Sequence, residues 1–291
     1  MPKHPLAEVF GFPTGNFSSE AERHRAARLC PYGNKVPNCT KDKAKDPLGV
    51  CSVYEGENVV VTCPVRFRQN WIIADDVAAF FFPPRTMWTS LTEVRLEDKH
   101  GRSAGNIDIV LVAYDDRGHV IDFGALEIQA VYISGNIRRP FERYMQDPQN
   151  QHDMDWTGET NYPRPDYLSS SRKRLAPQLI YKGGILNAWG KKIAVVVDRP
   201  FFATLPVLPV VASAQADMAW FVYNLALDQG RYTLVKHQTV YSSFAPALDS
   251  ITKTEAGPVE HFIGRLQEKL DEKLETGYPP DAPTLLEAIE A

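Results

Sequence analysis

The sequence predicts an α/β fold, a mixed sheet with helices on its faces. Three observations lead there. Two apolar runs, "NIDIVLVAY" (106–114) and "HVIDFGALEIQAVY" (119–132), flank the turn signal "DDRG". A third run, "KKIAVVVDRPFF" (191–202), is apolar almost throughout, as a strand covered on both faces would be. Between and around these runs lie segments with helical spacing or helix-capping residues, the pattern of a layered α/β domain.

Taken in order, residues 1–29 read as an arm ending in a short helix, "SSEAERHRAARL", with Ser18 or Ser19 as its cap. "WIIADDVAAFFF" (71–82) is stopped by the following "PP". "WTSLTEVRLED" (88–98) is expected to be a helix capped by Thr89 or Ser90. "DMAWFVYNLAL" and "RYTLVKHQTVYSS" flank "DQG" as a second strand pair. Near the end, Val259, Phe262, Ile263, Leu266, Leu270 and Leu274 form an apolar stripe at helical spacing, expected to join the core. The domain reading is an arm over 1–29, a cysteine module over 30–70 and a larger domain over 71–291.

The 291 residues are 44% hydrophobic and 23% charged, an ordinary globular balance. No apolar run reaches the roughly 20 residues that span a bilayer, so no membrane role is expected. The N-terminal stretch lacks the apolar core of a secretory signal, which predicts a cytoplasmic location. Net charge is −4, but residues 23–68 hold nine Lys/Arg against four Asp/Glu, and residues 164–192 hold seven against one. Two basic segments in an acidic chain suit one cationic face; chance clustering explains the charge alone equally well.

All four cysteines, Cys30, Cys39, Cys51 and Cys63, fall within 34 residues, spaced C-x8-C-x11-C-x11-C. Four thiolates can close a tetrahedral shell around zinc or iron. Two disulfides, or four unrelated buried thiols, are the alternatives, and the spacing lacks the CxxC knuckles of most zinc sites. The linking loops carry Lys35, Lys41, Lys43 and Lys45, so a metal-stapled module of this kind could rest on phosphates.

The second constellation is acidic. Asp108 and Glu127 have numbers that sum to 235. A two- or four-residue turn centred on Arg117–Gly118 would make them cross-strand neighbours, while a three-residue "DRG" turn would shift the pairing by one. Opposed carboxylates repel unless they face water or share a cation such as Mg²⁺. Gln129 follows one pleat on. Glu93, on the expected helix 88–98, is preferred over Glu97 as a third carboxylate.

An Asp, a hairpin and then Glu-x-(Lys/Gln) resembles the PD-(D/E)xK nuclease core. More specifically, the cysteine segment with "GVCSV" and "CPVRF", then "AGNIDIVL…ALEIQAVY", then "RKRLAPQLIYKGGILNAWGKKIAVVVDRPFF" resembles the NotI-type restriction endonucleases over roughly residues 30–202. The resemblance implies a PD-(D/E)xK core decorated by a four-cysteine iron or zinc site. It implies Asp108 and Glu127 as ligands of catalytic Mg²⁺, Gln129 in the slot usually held by Lys, and Glu93 as the helix-borne acid. It further implies double-stranded DNA as substrate, cut at a palindromic, GC-rich site by a homodimer, with a cognate methyltransferase in the same system.

One departure stands out. Gln129 is neutral where a cation is the rule, so either the metal does more or another cation substitutes, with Lys182 in "IYKGG" as the candidate. Arg172, Lys173, Arg174 and Lys182 otherwise read as DNA contacts. Two other classes remain open from sequence: a non-catalytic DNA-binding protein stapled by the cysteine metal, and an acid/base hydrolase of small substrates.

Overall fold

The computed structural model describes residues 3–33, 37–43 and 45–276, so Lys35 lies outside the described residues. Contacts divide the chain into two units, Met1–Thr252 and Lys253–Ala291.

Among the described residues the first unit holds twelve strands. Leu6–Val9 (β1), Phe12–Pro13 (β2), Val50–Glu55 (β3) and Asn58–Val61 (β4) form a small sheet in the order β2-β1-β3-β4. Trp88–Glu97 (β5), Ser103–Tyr114 (β6) and Val120–Ile128 (β7) belong to the main sheet, and Tyr132–Ser134 (β8) pairs with Arg164–Asp166 (β9). Ile193–Asp198 (β10), Met218–Asp228 (β11) and Arg231–Ser242 (β12) complete the main sheet, which runs β12-β11-β10-β7-β6-β5. Only β10 pairs in parallel, with β7 on one side and β11 on the other; the remaining pairs are antiparallel. The expected mixed sheet is therefore present.

Alternation along the strands splits the core in two. Ile109, Leu111, Leu126, Ala194 and Val196 point to one face and pack with Ile73, Val77, Phe80 and Phe81 of the helix Ile72–Phe81. Val110, Ala125, Val195 and Trp220 point to the other and pack with Leu175, Leu179, Leu186 and Phe244. With both faces covered, β10 is buried along its whole length, which is why "IAVVVD" carries no polar alternation.

The segment 88–98 is a strand, not the expected helix. Residues at even positions from Trp88 to Leu96 turn inward and the odd ones outward, a period of two that Thr, Val and Trp favour. Leu91 on the outer face is half exposed and blurs that period in the sequence. Glu93 consequently sits on β5 rather than on a helix. Within its own unit, the helix Val259–Thr276 leaves Val259, Phe262, Ile263, Leu266, Leu270 and Leu274 exposed, because the described residues there include no second element to cover them.

A buried ion pair and a buried carboxyl–amide hydrogen bond hold the small sheet to the rest. Arg66 and Glu8 are wholly buried and meet at 3.0 Å, with Ser52 donating to Glu8 and Arg66 donating to the Tyr232 carbonyl on β12. Asp198, at the end of β10, accepts from the Val61 amide on β4 at 2.7 Å. These links set β4 beside the end of β7, and Val131 donates its amide to the Val61 carbonyl there.

Candidate active site

The hairpin β6–β7 builds the site. Its turn closes as Asp115 and His119 exchange bonds around 116–118, the three-residue alternative. That turn pairs Tyr114 with Val120, a sum of 234. A bulge at the next step restores 235, and the ladder then runs from Ala113–Asp122 to Ile109–Leu126 in that register. Asp108 and Glu127 follow as the next opposed positions. Here the ladder opens: the Ile128 amide donates to Asp108 Oδ2 at 2.8 Å instead of to a β6 carbonyl. Beyond this point β7 stays bound to β10 alone, with the Gln129 amide on the Val196 carbonyl.

Alternation puts Glu127 and Gln129 on the face shared with Ala125, toward the helical run 167–188. That run leaves α-helical winding twice, for π-turns at Ser171–Leu175 and Leu179–Gly183. The second carries Lys182 inward, where its Nζ donates to Glu127 Oε2 at 2.6 Å and to the Asn106 carbonyl at 2.8 Å. Glu127 Oε1 is buried and receives no hydrogen bond from a donor among the described residues; the Asp108 carboxyl lies within side-chain hydrogen-bond reach of it, so the two acids can share one proton.

Electrostatics follow from this crowding. Burial first, and the Asp108 charge second, push the Glu127 carboxyl up to about 8, against the pull of Lys182. Burial also raises Asp108, opposed by the Ile128 amide and Lys182 and assisted by Glu93. Glu93 lies between the ladder pairs Thr92–Ile109 and Val94–Ile107, hence opposite Asp108. Its φ of +56° is unusual for a residue with a side chain, and the side chain is exposed.

A cleft of about 490 Å³ opens beside the carboxylates, lined by Asp108, Gln129, Thr62, Tyr132, Lys173 and Arg174 among others. The Arg174 guanidinium lies 4.4 Å from the Tyr132 ring centre. Sequence reading missed Gln178, which lines the same cleft with a buried, unpartnered Oε1; nothing in "LAPQL" marks it. Of the expected DNA contacts, Lys173 and Arg174 face this cleft, and Arg172 is exposed beside them. Lys43 is exposed in the cysteine segment. Lys41 is tied inward by bonds to the Val50 and Thr62 carbonyls and the Thr62 hydroxyl. Lys182, like Glu127, is buried and does not line the cleft.

The four cysteines gather from distant positions. Cys30 and Cys39 flank the bridge Leu29–Asn38, Cys51 lies on β3, and Cys63 lies two residues past the end of β4, next to Thr62, whose amide bonds the Cys51 carbonyl. None forms a disulfide. Cys30, Cys39 and Cys63 line one cavity of about 490 Å³. Burial raises the thiols of Cys30, Cys39 and Cys51, Cys39 to about 11, and the charge of neighbouring cysteines adds to each. Among the described residues, however, no group of three or more His, Cys, Asp or Glu side chains is arranged to hold a metal ion, here or at the carboxylates. No helix among them is long and apolar enough to cross a membrane.

Fold and site together define a mixed-sheet α/β protein in which the buried Glu127 lies beside the half-buried Asp108 at the edge of a basic cleft. Residues 15–234, more than half of the chain, match the family Restriction endonuclease NotI, and the chain belongs to that family. It is accordingly a type II restriction enzyme, a hydrolase that binds and cuts DNA. Restriction endonucleases generally need Mg²⁺. No match to a curated protein reaches significance.

Proposed function

We infer that the protein hydrolyses double-stranded DNA phosphodiesters at the cleft beside Asp108 and Glu127, in a PD-(D/E)xK-type site that depends on Mg²⁺. One observation carries this reading: Glu127 Oε1 is buried with no donor to it, beside a second carboxyl, Asp108, which lines a cleft rimmed by cations. Such an atom costs free energy unless something completes it, and a divalent cation reverses the repulsion between the two acids. Asp108 and Glu127 would hold the ion, which when bound supplies charge to the scissile phosphate and acidifies an attacking water.

The chain's own residues do the rest. Lys173 and Arg174 draw the phosphate backbone to the cleft. Gln129 positions by hydrogen bonding, being uncharged. Glu93 faces Asp108 from β5 and adds negative charge near the cation. Lys43 and Arg172 are further backbone contacts on this reading, while the inward bonds of Lys41 suit a staple within the module better than a DNA contact.

The four cysteines are proposed to bind one iron or zinc. Three of them line one cavity and all four are free thiols, which supports this, and bound metal would convert raised thiols to thiolates. One equivalent of either metal on elemental analysis is the expected result; a folded, metal-free protein removes the proposal. A homodimer acting on a palindromic, GC-rich site, with a cognate methyltransferase and a cytoplasmic location, completes the reading on family grounds.

The test is direct. Plasmid DNA is incubated with purified protein and Mg²⁺, and in parallel with EDTA. Discrete fragments in Mg²⁺ alone are expected. A gel shift without cutting favours a DNA-binding protein, and cutting that persists in EDTA removes the metal from the site.

A further inference from the structure

Lys182 is the one buried ammonium at the carboxylates, and its surroundings distinguish it from the other cations of the basic segment. Its side chain is 5% exposed and reaches Glu127 from 55 residues further along the chain. Two of its three N–H groups are spent, on Glu127 Oε2 and on the carbonyl of Asn106, two residues before Asp108. It therefore bridges β6 and β7 at the point where their ladder opens.

We propose that Lys182 is the positioning residue of Glu127: by holding Oε2 it presents Oε1 to a divalent cation, and supplies from behind the carboxylate the fixed positive charge that Gln129 lacks. This rests on the reading of Asp108 and Glu127 as metal ligands. A pair retained for stability alone would satisfy both carboxylate oxygens, since a buried ion pair hardly repays its desolvation otherwise. Here Oε2 takes the ammonium, while the buried Oε1 receives no donor and has a second carboxyl, Asp108, as its polar neighbour.

The helix is also shaped for the task. The π-turn Leu179–Gly183 places Lys182 inward, and such turns concentrate at functional positions. Gly183 makes the turn fit: a Cβ there would come within 2.5 Å of the Phe244 ring. Gln129 offers no substitute, because its amide nitrogen is engaged by the Ala130 carbonyl. With Glu127 ionised, as cation binding requires, two carboxylates and one ammonium leave a single negative charge, which attracts a divalent cation.

The test uses the full chain with Lys182→Met and Lys182→Arg. Mn²⁺ binding to DNA-free protein is followed by electron paramagnetic resonance, DNA affinity is measured in Ca²⁺, and single-turnover cleavage in Mg²⁺. For Lys182→Met we expect Mn²⁺ affinity to fall at least tenfold and the cleavage rate likewise, with DNA affinity within twofold of wild type. Lys182→Arg, which keeps the charge, should recover part of both losses. Thermal melting checks the fold; if Lys182→Met does not fold, Lys182→Gln is measured instead and the same losses are expected. Unchanged Mn²⁺ affinity in a folded neutral variant overturns the proposal, as does a fall in DNA affinity that matches the fall in rate. If wild type itself binds no Mn²⁺, the metal-ligand reading fails and takes this one with it; if wild type binds and the variant binds equally, only the role of Lys182 fails.

Discussion

Glu127→Gln should make the metal-free protein more stable at pH 8 while removing its response to divalent cations. In the metal-free fold, burial and Asp108 push Glu127 from 4.5 up to about 8. The sign follows from linkage. Between these values the folded state keeps a proton that the unfolded chain has lost, so stability falls as pH climbs from 4.5 toward 8 and stays low above it. At about 1.4 kcal/mol per pH unit, that gap sets a ceiling of ~5 kcal/mol on the cost of ionising Glu127. Dielectric relaxation near the open cleft brings the expected gain of the amide to about 1–3 kcal/mol. Gln keeps an acceptor for Lys182, and Asp108 remains to balance the ammonium, so no buried charge is stranded. For a unit of this size the gain is about 2–10 °C in Tm. Thermal melts in EDTA from pH 5 to pH 8.5 test it: wild type should lose stability across the range relative to the variant. Adding Ca²⁺ at about 100 times its Kd should return about 2.7 kcal/mol to wild type and nothing to the variant. A variant less stable than wild type at pH 8, or one that follows the wild-type pH profile, refutes the reasoning.

Other perturbations bear on the scaffold and the cleft. Glu8→Ala strands the buried Arg66 and should cost about 3–5 kcal/mol in urea unfolding, whereas Glu8→Leu with Arg66→Met recovers most of it. Gly124→Ala drives a methyl group to within 2.4 Å of Phe81 and should cost about 1–3 kcal/mol in the same assay. Arg174→Ala should weaken DNA binding across sequences and reduce the slope of log affinity against log salt by about one; an unchanged slope removes Arg174 from the backbone contacts.

Much of the sheet was legible because strands advertise themselves when both neighbours are local. "NIDIVLVAY" and "HVIDFGALEIQAVY" pair through a short turn, so their apolar patterning and the turn signal sufficed to mark them as a hairpin. The turn itself was less legible. Three residues long, it shifts the register by one, and only the bulge that absorbs Ile121 restores it. The strand 88–97 was misread because its partner supplies much of what makes it a strand, and the exposed Leu91 imitates a helical stripe. That error moved Glu93 to the wrong kind of element while leaving it near the right residue, since β5 pairs with β6. Lys182 was visible only as one cation among several. Its contact with Glu127 depends on a π-turn and on a close approach at Gly183, which no local pattern announces. The Glu8–Arg66 pair joins residues 58 apart and was not legible at all.

The central claim is that Asp108 and Glu127 carry the cleavage chemistry and do not carry DNA affinity. Asp108→Ala and Glu127→Ala should each abolish cutting of plasmid DNA in Mg²⁺ while binding DNA in Ca²⁺ within a few-fold of wild type. Either variant cutting at the wild-type rate would contradict the account.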